Sequence, residues 1–125
     1  MNYSFIGINH VQLAAPKNCE QEARAFFTDV LGWKEIPKPN ELQARGGVWF
    51  KVGHHEVHIG VQEDFISAKK AHPAFEVHQL DQLREHLIHN HITIVTDEHR
   101  ASEGVKRFFV HDPFGNRIEF LEWEV

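Results

Sequence analysis

Histidine is the residue type with the clearest capacity for chemistry in this sequence, because the chain holds 11 histidines in 125 residues. Histidine is the commonest metal ligand in proteins, so the positions matter more than the number. His10 and His72 each lie in the opening β-rich run of one half of the chain, whereas His58 and Glu119 each lie between two apolar residues of a later run. The separation is 48 residues in the first half of the chain and 47 in the second. This spacing indicates two similar units with ligand-type side chains at matching positions.

Three imidazoles and one carboxylate suit a borderline divalent metal such as Fe, Mn, Co, Ni or Zn. Two histidines with one carboxylate also form the non-haem iron pattern when coordination positions stay open. A single histidine on a strand is more often an ordinary polar residue, so the prediction depends on the joint placement of the four. The predicted metal ligands are His10, His58, His72 and Glu119.

The elements that must position these residues follow a β-α-β-β-β order in the first half. Strands are predicted over residues 5–14, 33–36, 48–52 and 56–62. The helix between the first two strands carries one apolar stripe, formed by Ala23, Phe26, Phe27, Val30 and Leu31. Asn18 and Gln21 form a potential capping box before it, and Gly32 is expected to end it in the left-handed conformation. Residues 37–45 are predicted to form a loop.

The second half repeats this order after a short connector. Strands are predicted over residues 72–78, 92–96, 105–111 and 117–122, with a tight turn over 112–116. The helical stripe consists of Leu80, Leu83, Leu87 and Ile88. We therefore predict an α+β fold in a single domain over residues 1–125, with modules over about 5–62 and 72–122. The two modules would form a curved mixed sheet, a cup with its helices on the outside and the four ligands facing inward.

Composition excludes several classes of protein. Hydrophobic residues make up 42% of the chain, mean hydropathy is −0.42, and no run is long enough to cross a bilayer, so we expect a soluble domain without a membrane span or secretory signal. The single cysteine, Cys19, excludes an internal disulfide framework and favours a reducing, cytoplasmic location. The net charge of −5 and the lack of a basic run argue against nucleic acid as a partner.

Three motifs and the paired module order give the sequence a family resemblance. The motifs are Asn9-His10-Val11, the helix end Phe26-Phe27-Thr28-Asp29-Val30-Leu31-Gly32-Trp33, and Asp112-Pro113-Phe114-Gly115-Asn116-Arg117-Ile118-Glu119. Together they resemble the vicinal oxygen chelate superfamily, which includes glyoxalase I, bleomycin-resistance proteins, extradiol dioxygenases and fosfomycin-modifying enzymes. The resemblance implies that His10 and His72 correspond to the metal ligands on the opening strands. It implies that Glu119 corresponds to the carboxylate ligand on the last strand.

The resemblance also narrows the expected activity. His58 falls where glyoxalase I has a glutamate associated with proton transfer, which argues against classical glyoxalase I activity. We expect a metal-dependent enzyme that binds vicinal oxygens of a small-molecule substrate and carries out lyase, isomerase or dioxygenase chemistry, with Glu119 or His58 as the base. The alternative is a metal-independent drug-sequestering protein of the bleomycin-resistance type. Members of that type lack the metal ligands, whereas this chain has them.

Further predictions concern the pocket and the assembly. Arg107 and Phe109 share one face of their strand and are expected to line the pocket with Trp49, although packing explains them equally well. Residues 97–104 form a polar loop, for which an ordinary surface connection is favoured over closure of the cup. A homodimer is expected because the sheet edges need cover and because the C-terminal residues Phe120, Leu121 and Trp123 would extend an apolar rim.

Overall fold

The computed structural model describes residues 1–124 and contains two compact units, the first covering Met1–Phe65 and the second beginning at Ile66. Each unit is a four-stranded mixed sheet with helices, in the predicted β-α-β-β-β order. The predicted α+β class is therefore confirmed. None of the helices in residues 1–124 is long and apolar enough to span a bilayer. That residues 1–125 work as one domain stays a prediction.

The first unit contains four strands and two helices. The strands are β1 (His10–Ala15), β2 (Lys34–Ile36), β3 (Val48–Val52) and β4 (His55–Val61), and the helices are α1 (Glu20–Ala23) and α2 (Asn40–Gln43). A π-helical segment, Arg24–Val30, continues α1 directly. The sheet order is β1-β4-β3-β2, with β1 parallel to β4 and the other pairs antiparallel.

Strand alternation divides the first sheet into an apolar face and a polar face. The helical segment buries Phe27 completely, and its ring packs 5.4 Å from Phe50 and 5.1 Å from Trp33. Val57 and Ile59 of β4 are also buried. The core of this unit is thus an aromatic layer between helix and sheet. The residues that alternate with these core residues along the strands lie on the opposite face of the sheet. They are His10, Gln12, Trp49, Glu56 and His58.

The second unit contains four strands and one α-helix. The strands are β5 (Ala74–Glu76), β6 (Val95–Thr96), β7 (Val105–His111) and β8 (Arg117–Trp123), and the helix is α3 (Leu80–His89). The sheet order is β5-β8-β7-β6, with β5 parallel to β8. Leu80 and Leu87 of α3 are buried, as are Phe108 and Phe120 on the strands. The opposite strand phase carries Arg107, Phe109, Arg117 and Glu119.

A tight turn at residues 112–116 sets the start of β8. The buried Asp112 carboxylate accepts hydrogen bonds from the Phe114 and Asn116 amides and from the Asn116 side-chain amide, at 2.8–2.9 Å. Burial raises the pKa of Asp112, and its hydrogen bonds with Asn116 oppose that rise. Gly115 has φ +90°, which favours glycine. This turn fixes the register that places Phe109 opposite Glu119.

The N-terminal prediction was wrong in part. The first strand begins at His10, so residues 5–9 lie outside the sheet. Phe5, Ile6 and Ile8 are 93%, 99% and 67% exposed. Their apolar character matches a strand, but no neighbouring strand of the first sheet reaches them, because β4 begins at His55 opposite the end of this segment. The carbonyl oxygen of Ile8 accepts a 3.0 Å hydrogen bond from His55 Nδ1.

The predicted capping box was also wrong. Asn18 has φ +65° and the helix begins after Cys19 without a side-chain cap. Glu20 in the first turn bonds outside the helix, since its carboxylate accepts a 2.7 Å hydrogen bond from the Gly47 amide. This bond lowers the pKa of Glu20. Gly32 does take the predicted left-handed conformation, with φ +79°.

Three other differences are smaller. The predicted loop over residues 37–45 contains the short helix α2. The predicted strands over 72–78 and 92–96 shorten to β5 and β6, because only these residues have pairing partners on β8 and β7. The predicted apolar rim is mostly core, since Phe120 and Leu121 are 2% and 7% exposed and only Trp123 is exposed, at 45%.

We predict that Gly47→Ala destabilises the fold far more than Gly53→Ala. Gly47 has φ +90°, and a Cβ there would lie 2.0 Å from the Ile59 carbonyl oxygen, so the substitution should cost about 3 kcal/mol or more. Gly53 has φ +56° with open space around it, so its replacement should cost about 1 kcal/mol. Urea unfolding followed by circular dichroism measures both. Equal losses would contradict the close approach at Gly47.

Candidate metal-binding residues

His10 stands in the tautomer that suits a metal ligand. Its Nδ1 lies 2.8 Å from the side-chain oxygen of Asn9. An oxygen acceptor requires Nδ1 to carry the proton, so the neutral ring keeps its lone pair on Nε2. The residue is exposed at the start of β1, and a hydrogen bond of this kind is what orients metal-bound histidines.

His72 repeats this arrangement in the second unit. Its Nδ1 lies 2.8 Å from the backbone carbonyl oxygen of Lys70, which orients the ring as Asn9 orients that of His10. The His72 Nε2 is 3.0 Å from Glu119 Oε1, and the two partners are 24% and 3% exposed. The structure therefore brings His72 and Glu119 together, as the spacing predicts. Phe109 packs its ring 5.0 Å from the imidazole and limits its rotation.

Glu119 is a buried carboxylate with one oxygen satisfied and one free. Its Oε1 accepts hydrogen bonds from Arg107 Nη1 at 3.4 Å and from His72. Its Oε2 is buried without a hydrogen-bond partner. An unpaired buried carboxylate oxygen is costly, and a cation is the partner that removes the cost most completely. The donor set at this position therefore fits a divalent metal ion.

Arg107 holds Glu119 in place and is itself held from the loop after β6. Its Nη2 lies 3.2 Å from the Asp97 carboxylate, and its guanidinium lies 5.3 Å from the centre of the Phe109 ring. The His99 amide and then Arg107 hold the pKa of Asp97 below its usual value. Asp97 therefore stays ionised beside the arginine. The Arg107 guanidinium thus pairs with the carboxylates of both Asp97 and Glu119. The orientation of Glu119 depends on these two ion pairs.

His58 differs from the other predicted ligands in its ring stacking and in its hydrogen-bond partner. Its ring is stacked 3.6 Å from that of Trp49 and 4.1 Å from that of His10, and it is 4% exposed. Its Nε2 is 2.9 Å from the Glu56 carboxylate, so that nitrogen carries a proton. A metal bound to an imidazole lies in the ring plane. The His10 and His58 planes are only 15° apart, so the two rings are stacked and do not share one plane in this arrangement.

The structure thus pairs the four predicted residues within the units, His10 with His58 and His72 with Glu119. Within residues 1–124, no three side chains of the His, Cys, Asp and Glu types form a group that could hold a metal ion. That all four residues bind one ion stays a prediction.

Sequence reasoning missed Glu56 and Asp97 as partners of site residues. Glu56 lies two residues before His58 and so shares its face of β4, a signal visible in the alternation. No sequence pattern indicated that Asp97 is a partner of Arg107, because this contact depends on how the loop after β6 folds back. Arg107 was expected only to line a pocket, whereas in the structure it donates a hydrogen bond to Glu119.

Comparison with known proteins identifies the family. Residues 7–120 match the Glyoxalase/Bleomycin resistance protein/Dioxygenase superfamily. This match covers most of the chain, and the chain therefore belongs to that superfamily. The resemblance seen in the sequence motifs is confirmed. No curated protein matches the sequence significantly.

Solved structures agree with this assignment. A glyoxalase family protein from Bacillus anthracis is 52% identical, with a TM-score of 0.95, over 99% of this chain and all of that one. Lactoylglutathione lyase from Agrobacterium tumefaciens is 21% identical, with a TM-score of 0.72, over 93% and 92% of the two chains. The fosfomycin resistance protein FosX from Listeria monocytogenes is 14% identical, with a TM-score of 0.77, over 98% and 97%. The last two share the fold.

We predict that Arg107→Gln lowers stability by about 2 kcal/mol, because it leaves the buried Glu119 carboxylate with one partner fewer. Arg24→Gln is the matched control, since Arg24 pairs with Glu35 on the surface with the two side chains 47% and 40% exposed. That change should cost about 0.5 kcal/mol. Thermal and urea unfolding without added metal measure both.

The double variant Arg107→Gln/Glu119→Gln identifies the cause. Removing the carboxylate charge should recover at least half of the loss, because the unpaired charge is then gone. A loss in Arg107→Gln no larger than in the surface control would show that Arg107 does not stabilise Glu119.

Proposed function

We propose that this protein is a metal-dependent enzyme that binds two adjacent oxygens of a small substrate. The observation that carries the proposal is the pair of histidines His10 and His72, each oriented by a hydrogen bond from Nδ1 to a carbonyl oxygen, with Nε2 of His72 directed at Glu119. Glu119, with its buried unpaired Oε2, adds the carboxylate. Membership of a superfamily whose members commonly use divalent metals supports the same conclusion.

The proposed roles follow from these contacts. His72, Glu119 and His10 are the ligands, and the ion is one of Fe, Mn, Co, Ni or Zn. When bound, such an ion supplies Lewis-acid stabilisation of negative charge on the substrate oxygens. Arg107 keeps the carboxylate oriented through Oε1. The sequence prediction that His58 is a fourth ligand stays open, although its Nε2 is engaged by Glu56.

His58 is better placed to move a proton than to bind the ion. Its ring is buried between two other rings, and the Glu56 carboxylate orients it. A histidine oriented by a carboxylate is the usual arrangement of a general base. We therefore propose that His58 takes over the proton-transfer function that glyoxalase I assigns to a glutamate. Glu119 remains the second candidate base.

We predict that the purified protein binds about one divalent ion and that His72→Ala and Glu119→Gln each weaken binding at least about 100-fold. His10→Ala should weaken it to a similar degree. His89→Ala and Glu85→Gln are matched controls, because both residues are exposed on α3. Calorimetry with Zn(II) and Ni(II) measures the affinities. Unchanged affinity in both His72→Ala and Glu119→Gln would exclude the proposed ligands.

We predict turnover that depends on the metal in a panel of catechols, hemithioacetals and epoxides, assayed with Fe(II), Mn(II), Ni(II), Co(II) and Zn(II) while oxygen uptake is recorded. Oxygen consumption with Fe(II) alone would identify a dioxygenase, and turnover without oxygen would identify isomerisation, lyase or addition chemistry. His58→Gln should lower kcat with little change in metal affinity. If no metal supports turnover and a hydrophobic drug binds equally to chelator-treated protein, the protein sequesters drugs instead.

We also propose that the protein is a homodimer in the cytoplasm. The dimer is supported by the apolar segment before β1, in which Phe5 and Ile6 are almost fully exposed. Such a segment gains most by packing on a second copy. The predicted C-terminal rim does not support the dimer, because that rim is mostly buried. Cys19, buried and unpaired, is compatible with a reducing location.

We predict that light scattering gives twice the 14.5 kDa chain mass and that Phe5→Ser/Ile6→Ser shifts the protein toward the monomer. Trp123→Ser is the control, because it removes an exposed aromatic residue at the other end of the chain. A mass of 14.5 kDa over a wide concentration range would exclude the dimer.

A further inference from the structure

We infer that the second unit contains a binding site for an oxyanion group of the substrate, formed by Arg117 on the face of Phe109 beside Glu119. This anion site rests on the proposed function, since it adds a second contact for the same small molecule. It assigns the substrate class: a compact molecule with two adjacent oxygens and, one ring's width away, an anionic group such as a carboxylate.

Phe109 is the platform of the anion site. The Arg117 guanidinium carbon lies 3.9 Å from the centre of the Phe109 ring, and that of Arg107 lies 5.3 Å from the same centre. The ring is 2% exposed, so its position is fixed by the core. A guanidinium over a ring face is stabilised by the ring quadrupole, and its N–H donors remain at its edge for oxygen ligands.

The two arginines differ in what already neutralises them. Arg107 pairs with Asp97 at 3.2 Å and with Glu119 at 3.4 Å. Arg117 forms an ion pair with none of the carboxylates in residues 1–124, and its contact is the ring. It is partly exposed, so a ligand can reach it. Arg117 is therefore a cation next to a candidate metal site with its donors uncommitted, in a chain whose net charge is −5.

The position of Arg117 sets the size of the ligand. It precedes Glu119 by two residues on β8, so the two side chains share a face with their Cα atoms about 7 Å apart. Phe109 lies opposite Glu119 in the register, and its ring is 5.0 Å from His72. A single benzene ring bridges such a span. A molecule whose adjacent oxygens meet His72 and Glu119 can therefore place its anionic group on Arg117.

The first test uses no metal and compares benzoate with benzamide, which have the same shape but differ in charge. Ligand-observed NMR on the full chain should show benzoate binding about tenfold tighter than benzamide. Arg117→Gln and Arg117→Met should abolish this preference, and Arg117→Lys should keep part of it. The Met variant retains the apolar contact with Phe109, so it separates loss of the donors from loss of packing.

Lys106→Gln is the matched control. It removes one positive charge from β7 at the residue before Arg107, and its side chain lies on the other strand phase, where it pairs with Asp81. It should keep the full preference for benzoate. Equal binding of the two probes by the wild type, or a preference that survives in both Arg117→Gln and Arg117→Met, would overturn the anion site.

The second test compares catechol with 3,4-dihydroxybenzoate on the Zn(II)-loaded protein by calorimetry. The wild type should bind the carboxylate-bearing probe about tenfold tighter, and Arg117→Gln should bind both equally. If Zn(II) does not bind but the benzoate preference depends on Arg117, the proposed metal enzyme is wrong and the anion site stands. If Zn(II) binds through His72 and Glu119 but neither preference exists, the anion site is wrong and the metal enzyme stands.

Discussion

A carboxylate with 3% exposure is expensive to keep charged, and the arrangement around Glu119 follows from that cost. Arg107 and His72 both contact Oε1, and Asp97 in turn balances Arg107. Oε2 has no hydrogen-bond partner within residues 1–124. Removing water from a charge is tolerated in a folded protein only where a compensating charge is gained. The contacts of β7, β8 and the loop after β6 thus leave one buried oxygen prepared for a cation.

The two units solve the same problem with different residues. The opening-strand histidines match, because in each the Nδ1 atom is hydrogen-bonded to a carbonyl oxygen. The closing strands diverge: Glu119 is buried with an open oxygen, whereas His58 is enclosed by the rings of Trp49 and His10 and bonded to Glu56. An internal repeat therefore places two kinds of side chain at equivalent positions, a buried carboxylate in one unit and a stacked imidazole in the other.

Much of the fold was predictable because the signals are local. The alternation of apolar and polar residues predicts both ends of β3 and β7 correctly. The conformations at Asp112 and Gly32 depend on residues only a few positions away. The errors share a cause. The strand predicted from residue 5 lacks a neighbour to pair with, and Asn18 takes a left-handed conformation without capping the helix, while Glu20 bonds the distant Gly47 amide. Pairing and long-range hydrogen bonds are set by other parts of the chain, which a local pattern does not contain.

By itself, the sequence determined the family, the doubled module and the four residues worth testing, since these depend on residue type and spacing. Only the tertiary structure decided their contacts. The stacking of His58 on His10, the free Oε2 of Glu119 and the uncommitted Arg117 on Phe109 each result from side-chain directions and distances across strands. A periodic pattern shows which face a side chain occupies. It does not show which neighbour satisfies its charge or hydrogen bonds, and that neighbour decides whether a polar residue binds, moves a proton or only packs.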